Sequence, residues 1–201
     1  MVWKLTAKLY QYYQLTTSFL YVALLSRWII IFPLVGMKFL PGGLHEFLMY
    51  LLFFSSVIEI IWLFVFRGIK GAFRSRTLLK DLNFLYFVLI FHFYDDYEHA
   101  LVLKNMSYSL FIVSVSLSQT YCHAIQIFKR SPNYKRKTLL WKLDTFILMP
   151  VLYCSEFSLF LLNQRFPNFH TTKELDQLNK FILVIYFPLA LSCYRKYIAR
   201  S

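Results

Sequence analysis

Apolar stretches close to bilayer-crossing length recur along this 201-residue chain and leave it few ways to fold in water. Six can be drawn, at roughly 13–35, 47–66, 78–94, 106–128, 139–162 and 178–196. A spanning helix needs about 20 largely apolar residues, because the backbone rises about 1.5 Å per residue through some 30 Å of hydrocarbon. The third segment reads as 82–94 on apolarity alone and recruits 78–81 to reach that length. The sixth is extended in the same way by Leu178 and the aliphatic stem of Lys196. Hydrophobic residues make up 58% of the chain and charged residues 16%, too apolar for a soluble domain of this size. The fold class expected is all-α, a polytopic bundle of six transmembrane helices forming a single transmembrane domain over 1–201. The first segment is read as a retained helix, since no small-residue cleavage site follows it.

Charge placement orients the bundle. Arg67, Lys70, Arg74, Arg76 and Lys80 fall between the second segment and the apolar part of the third (82–94), and Lys129, Arg130, Lys135, Arg136 and Lys137 between the fourth and fifth. Asp95, Asp96 and Glu98, and then Glu174 and Asp176, fall in the alternate loops. Lysine and arginine mark the cytoplasmic side, so both termini are expected in the cytosol. The net charge of +12 is therefore read as lipid-facing loop charge, with no nucleic-acid partner. Cys122, Cys154 and Cys193 share no metal-ligand or disulfide spacing and read as small buried apolar groups. The run His92–His99 has the residue types of a metal site, but its spacing matches no ligand motif. A solvated acidic loop is the reading, and no metal is expected.

Pro33, Pro150 and Pro188 sit in or at the ends of spans and read as kinks. The more informative residues are the polar ones placed where lipid should be. Glu59 lies mid-span in the second segment, Gln119 and His123 one turn apart in the fourth, and Asp144 and Glu156 in the fifth. Ionisable groups at such depth face a bundle interior or a water-filled cavity. At about 100° per residue, Met149 and Glu156 nearly superpose on one helix face, and Tyr153 lies within about 60° of Glu156. This stripe suits either acid–base work or a tyrosine hydroxyl capping a buried acid.

The order of these residues resembles the very-long-chain (3R)-3-hydroxyacyl-CoA dehydratase family of the endoplasmic reticulum. The likeness is carried by Tyr13-Gln14 followed by Tyr21, by Val57-Ile58-Glu59-Ile60, by Ser118-Gln119, and by Trp141, Thr145, Pro150 and Glu156 in order. It departs at Met149, where the family carries its catalytic tyrosine, and at Leu152 and Cys154, where it carries Gly and Ser. Methionine exchanges no proton. The resemblance implies a lyase of fatty-acid elongation that dehydrates a (3R)-3-hydroxyacyl-CoA to the trans-2-enoyl-CoA. Glu156 and Tyr153 would be the catalytic pair, with Met149, Glu59 and Gln119 as supporting polar or pocket residues. Cofactors are expected to be none, since elimination changes no oxidation state. Implied partners are a long-chain acyl-CoA, the lipid bilayer and other fatty-acid elongation enzymes, with the 129–137 loop holding the coenzyme phosphates. The implied location is the endoplasmic reticulum membrane, multi-pass. Met149 leaves open an alternative, a catalytically inactive dehydratase homologue (a pseudoenzyme) acting as membrane partner or scaffold. A small carrier or channel is a third class, suggested by the intramembrane acids alone.

Overall fold

A glycine, rather than a proline, divides the first helical run. In the computed structural model, which describes residues 2–73, 75–93, 101–128, 139–165 and 173–199, the run Val2–Phe73 is helical throughout except at Gly36 and Gly68. Gly36 has φ 69° and ψ −176°, a conformation essentially closed to residues with a Cβ. Pro33 and Pro41 both lie within helix on either side of it. We call 2–35 α1 and 37–67 α2. The kink expected at Pro33 thus falls three residues later, where backbone freedom rather than a missing N–H lets the chain turn.

The helix Arg76–Val88 (α3) follows Ser75, whose extended backbone (φ −84°, ψ 141°) starts it, and runs on through a π-helical turn, Leu89–Phe93. It therefore begins two residues before the expected span. Met106–Phe128 is α4. The fifth helix, α5, covers 139–165 with a π-helical turn, Asp144–Leu148, just ahead of Pro150. A proline ring clashes with the carbonyl four residues back and offers it no donor; widening the preceding turn relieves both problems. Lys173–Ala199 is α6, with Pro188 inside it.

Every described element is helical. Among the described residues three runs, Leu5–Phe73, Met106–Ile127 and Leu139–Arg165, are long and apolar enough to cross a membrane. The first contains the Gly36 break and so supplies two rods. The run 2–73 packs on α4 and α3, α4 packs on α5, and α5 packs on α6. Stacked and edge-on rings fill the centre: Phe87 lies 4.3 Å from Phe111 and 4.5 Å from Phe91, and Phe91 lies 6.0 Å from Phe160, measured between centroids. Outside that core, Phe19, Leu34, Phe39, Leu139 and Val184 are at least 70% exposed. A surface this apolar is a solvent mismatch in water and a match in hydrocarbon. Cys154 is exposed and Cys122 half-buried, so neither is the buried apolar group expected. The basic block 129–137 and most of the run His92–His99 lie outside the described residues.

Candidate functional site: two buried polar junctions

Glu156 is 1% exposed, and both of its carboxyl oxygens are engaged. Asn83 on α3 donates its amide to Oε1 at 2.6 Å, and Tyr186 on α6 donates its hydroxyl to Oε2 at 2.6 Å. One acid thus ties the fifth helix to the third and the sixth. Around it, Tyr86 donates to Asn179, again joining α3 to α6, and Ser107 lies 2.9 Å from Ser158 between α4 and α5. A carboxylate buried in hydrocarbon survives only with such donors.

The expected partner, Tyr153, is half-buried and packs against the aromatic core, as the ring of Phe157 does one turn on. Met149 is half-buried at the start of the α-helical part of α5. The residues that engage Glu156 were missed because they come from other helices. Asn83 is an amide at the polar end of α3, two residues after Asp81, which was a usable signal; Tyr186 sits among apolar residues and gave none.

A second junction gathers Glu59, Lys80, Asp81 and His123. Lys80 Nζ donates to Glu59 Oε2 at 2.8 Å and to Gln119 Oε1 at 3.1 Å, and lies 3.3 Å from Asp81 Oδ1. His123 donates from Nδ1 to Gln14, and the same atom is 3.8 Å from Glu59 Oε1. Tyr21 and Ser55 share a hydrogen bond at 2.9 Å, and Tyr13 donates to the Ser55 carbonyl at 2.8 Å. Asp144, 1% exposed, is buried in the π-helical turn of α5. Four helices, α1 to α4, meet in these bonds. Lys80, whose position suggested a cytosolic loop, is instead the cation that two carboxylates share, one half-buried (Glu59) and one buried (Asp81). Its side chain keeps 30% exposure, against 11% for Glu59 and 1% for Asp81.

Both expected supporting acceptors, Glu59 and Gln119, therefore belong to the Lys80 junction and not to the Glu156 one. A groove on the outer face of α1 shares no lining residue with either junction. A third, smaller polar contact places His45 Nδ1 3.0 Å from the Tyr108 hydroxyl, with the His92 ring 5.6 Å from that of His45. Among the described residues no group of three metal-ligating side chains comes together.

No protein-family model matches the chain, and no solved structure matches it. The chain is 59% identical over 197 residues to the β-1,6-glucan synthesis-associated protein KEG1 of Saccharomyces cerevisiae, a match covering 98% of each sequence. That relationship overturns the dehydratase resemblance, which rested on single residues scattered through apolar sequence. Dehydration of hydroxyacyl-CoA, the lyase and fatty-acid-elongation assignments and the inactive-dehydratase alternative all fall with it. So do the acyl-CoA and elongation-enzyme partners. Physically, the resemblance failed because tyrosine, proline and glutamate at loose intervals are what any aromatic-rich membrane bundle with buried ties will contain. The full-length match, by contrast, leaves nothing of this chain outside its reach but a few residues: the protein belongs to the family of the β-1,6-glucan synthesis-associated protein KEG1.

Proposed function

We propose that this protein is a multi-pass membrane component that assists the synthesis of β-1,6-glucan, and that its buried polar junctions hold the bundle in the shape this role requires. The single observation behind the role is the 59% identity to a relative whose name ties that protein to β-1,6-glucan synthesis. An assisting role also suits the geometry. Both oxygens of Glu156 are occupied by side chains of the same protein, and Glu59 is held by Lys80, so neither acid stands open to a sugar.

Within this reading the chain forms one transmembrane domain that crosses the bilayer six times, with both termini in the cytosol. The Gly36 break, which makes two rods of the first run, and the alternation of basic and acidic loops support that arrangement. The short apolar part of α3 is offset by packing, since its polar residues Lys80, Asp81 and Asn83 are turned toward neighbouring helices. The endoplasmic reticulum is carried as the proposed compartment, as one membrane of the secretory route on which a wall polymer depends.

Exchange of the two proteins tests the role. Yeast cells depleted of the relative and expressing this chain are expected to regain at least about half of the wall β-1,6-glucan lost on depletion. Glucan that stays at the depleted level, while this chain accumulates in membranes, would overturn the proposal.

A further inference from the structure

Arg27 is a cation with no acid beside it among the described residues. Arg27, on the outer face of α1, is exposed, its guanidinium 5.9 Å from the ring centroid of Phe47 on α2. Among the described residues no carboxylate pairs with it. Around it runs a groove of about 440 Å³, lined by Phe19, Val22, Ala23, Ser26 and Ile30 as well as Arg27. These positions follow the three-and-four spacing of a single helix face, so the groove runs along α1. Ala23, with the smallest side chain in the row, is half-buried, and Phe19 and Ile30 are 73% and 62% exposed.

The level of Arg27 in the bilayer follows from its neighbours. Trp28 Nε1 donates to Ser109 Oγ at 2.9 Å, and Ser109 lies three residues into α4. The 23 residues of α4 make a rod about 34 Å long, little more than the hydrocarbon thickness, and Ser109 is about 5 Å below its start. Arg27 therefore sits just inside one edge of the hydrocarbon, within reach of the phosphate layer. From there the groove leads past Ser26, Ala23 and Val22 to Phe19, about 12 Å toward the bilayer centre at 1.5 Å per residue. A charged end at the headgroup level and an apolar furrow pointing inward match the two parts of a lipid.

We propose that this groove holds one phosphate-headed lipid, its phosphate on Arg27 and one tail along Ala23, Val22 and Phe19. Arginine's planar fork pairs bidentately with phosphate, and pairing it removes the cost of a lone charge at the edge of hydrocarbon. A second copy of α1 is a poor occupant, because residues 2–35 contain no Asp or Glu to meet Arg27. The inference rests on the membrane-crossing reading above, which sets the depth of Arg27.

Native mass spectrometry of the purified full chain in detergent tests it, with dioleoyl phosphatidic acid as probe and dioleoylglycerol as the same tails without phosphate. A saturable single adduct is expected with phosphatidic acid and about tenfold weaker binding of the glycerol. Arg27→Gln should weaken the phosphatidic acid adduct about tenfold, as should Ala23→Phe, which puts a large side chain into the groove. Phe19→Ala, at an exposed position, serves as a second groove variant with little risk to folding. Equal binding of the two probes, or an adduct unchanged in all three variants, overturns the proposal. So does release of a copurifying membrane protein by Arg27→Gln without any change in lipid binding, which would assign the groove to a partner helix. Cysteine labelling of the loops separates the two readings: a normal six-crossing pattern without an adduct sinks the lipid site alone, and an adduct with a different pattern sinks the crossing scheme alone.

Discussion

Replacing Lys80 with methionine is expected to destabilise the protein by about 3 kcal/mol and to lower its thermal midpoint in detergent by about 6–12 °C. Methionine matches the length of the lysine stem and removes the charge that Glu59 and Asp81 share at 2.8 and 3.3 Å. Two carboxylates are then left close together in a poorly solvated place, with His123 3.8 Å from Glu59. Breaking a buried pair on one side costs about 3–5 kcal/mol, and the 30% exposure of Lys80 places the effect at the low end. The double variant Lys80→Met, Glu59→Gln should recover part of the loss, because it removes one of the stranded charges. A coupling of more than about 1 kcal/mol between the two sites, read from the thermal midpoints of both single variants and the double, is the expected signature. Additive losses would mean that Lys80 is solvated rather than held in the junction.

Glu156→Ala is expected to cost about 2–3 kcal/mol, a fall of about 5–10 °C in the same measurement. Interhelical hydrogen bonds within bilayers average only about 0.6 kcal/mol, since an unfolded chain in lipid also finds partners. Alanine, however, strands two donors at once, the Asn83 amide and the Tyr186 hydroxyl, and an orphaned buried donor costs about 1–3 kcal/mol. Glu156→Gln keeps an oxygen acceptor and an atom that Tyr186 can still bond, so its loss should stay near 1 kcal/mol. The ratio between the two variants carries the information. A tie between helices tolerates glutamine better than alanine, whereas a proton-transferring acid would lose its function equally in both.

Sequence reasoning reached the helices because hydrocarbon thickness imposes a length that composition alone reveals. It also marked Glu59, Gln119 and Glu156 as inward-facing, since an acid turned to lipid is so costly. The partners of these groups were out of reach. Asn83 and Tyr186 are separated from Glu156 by 73 and 30 residues, and only the packing of α3 and α6 on α5 brings them in. Lys80 was misplaced for a related reason: in a list of basic residues it looks like the end of a loop, and only the helix begun at Arg76 turns it toward Glu59. The break at Gly36 was hidden behind Pro33, the stronger local signal, because a glycine's use of positive φ leaves no trace in composition. The family was misread on residues that any tied bundle shares. In particular, Tyr153 was enlisted to stand in for the tyrosine that Met149 replaces, while the hydroxyl that meets Glu156 comes from Tyr186.

Labelling of single cysteines with a membrane-impermeant maleimide in sealed vesicles reaches the root of the proposal, in a background where Cys122, Cys154 and Cys193 are replaced. Six crossings with cytosolic ends require that cysteines at Lys8, Lys70 and Arg195 react from the cytosolic side without detergent. Cysteines at Lys38, Asn105 and Glu174 should react only once the membrane is opened. Reaction of Lys38 from the same side as Lys8 would mean that α1 does not cross, and the six-crossing arrangement would have to be given up.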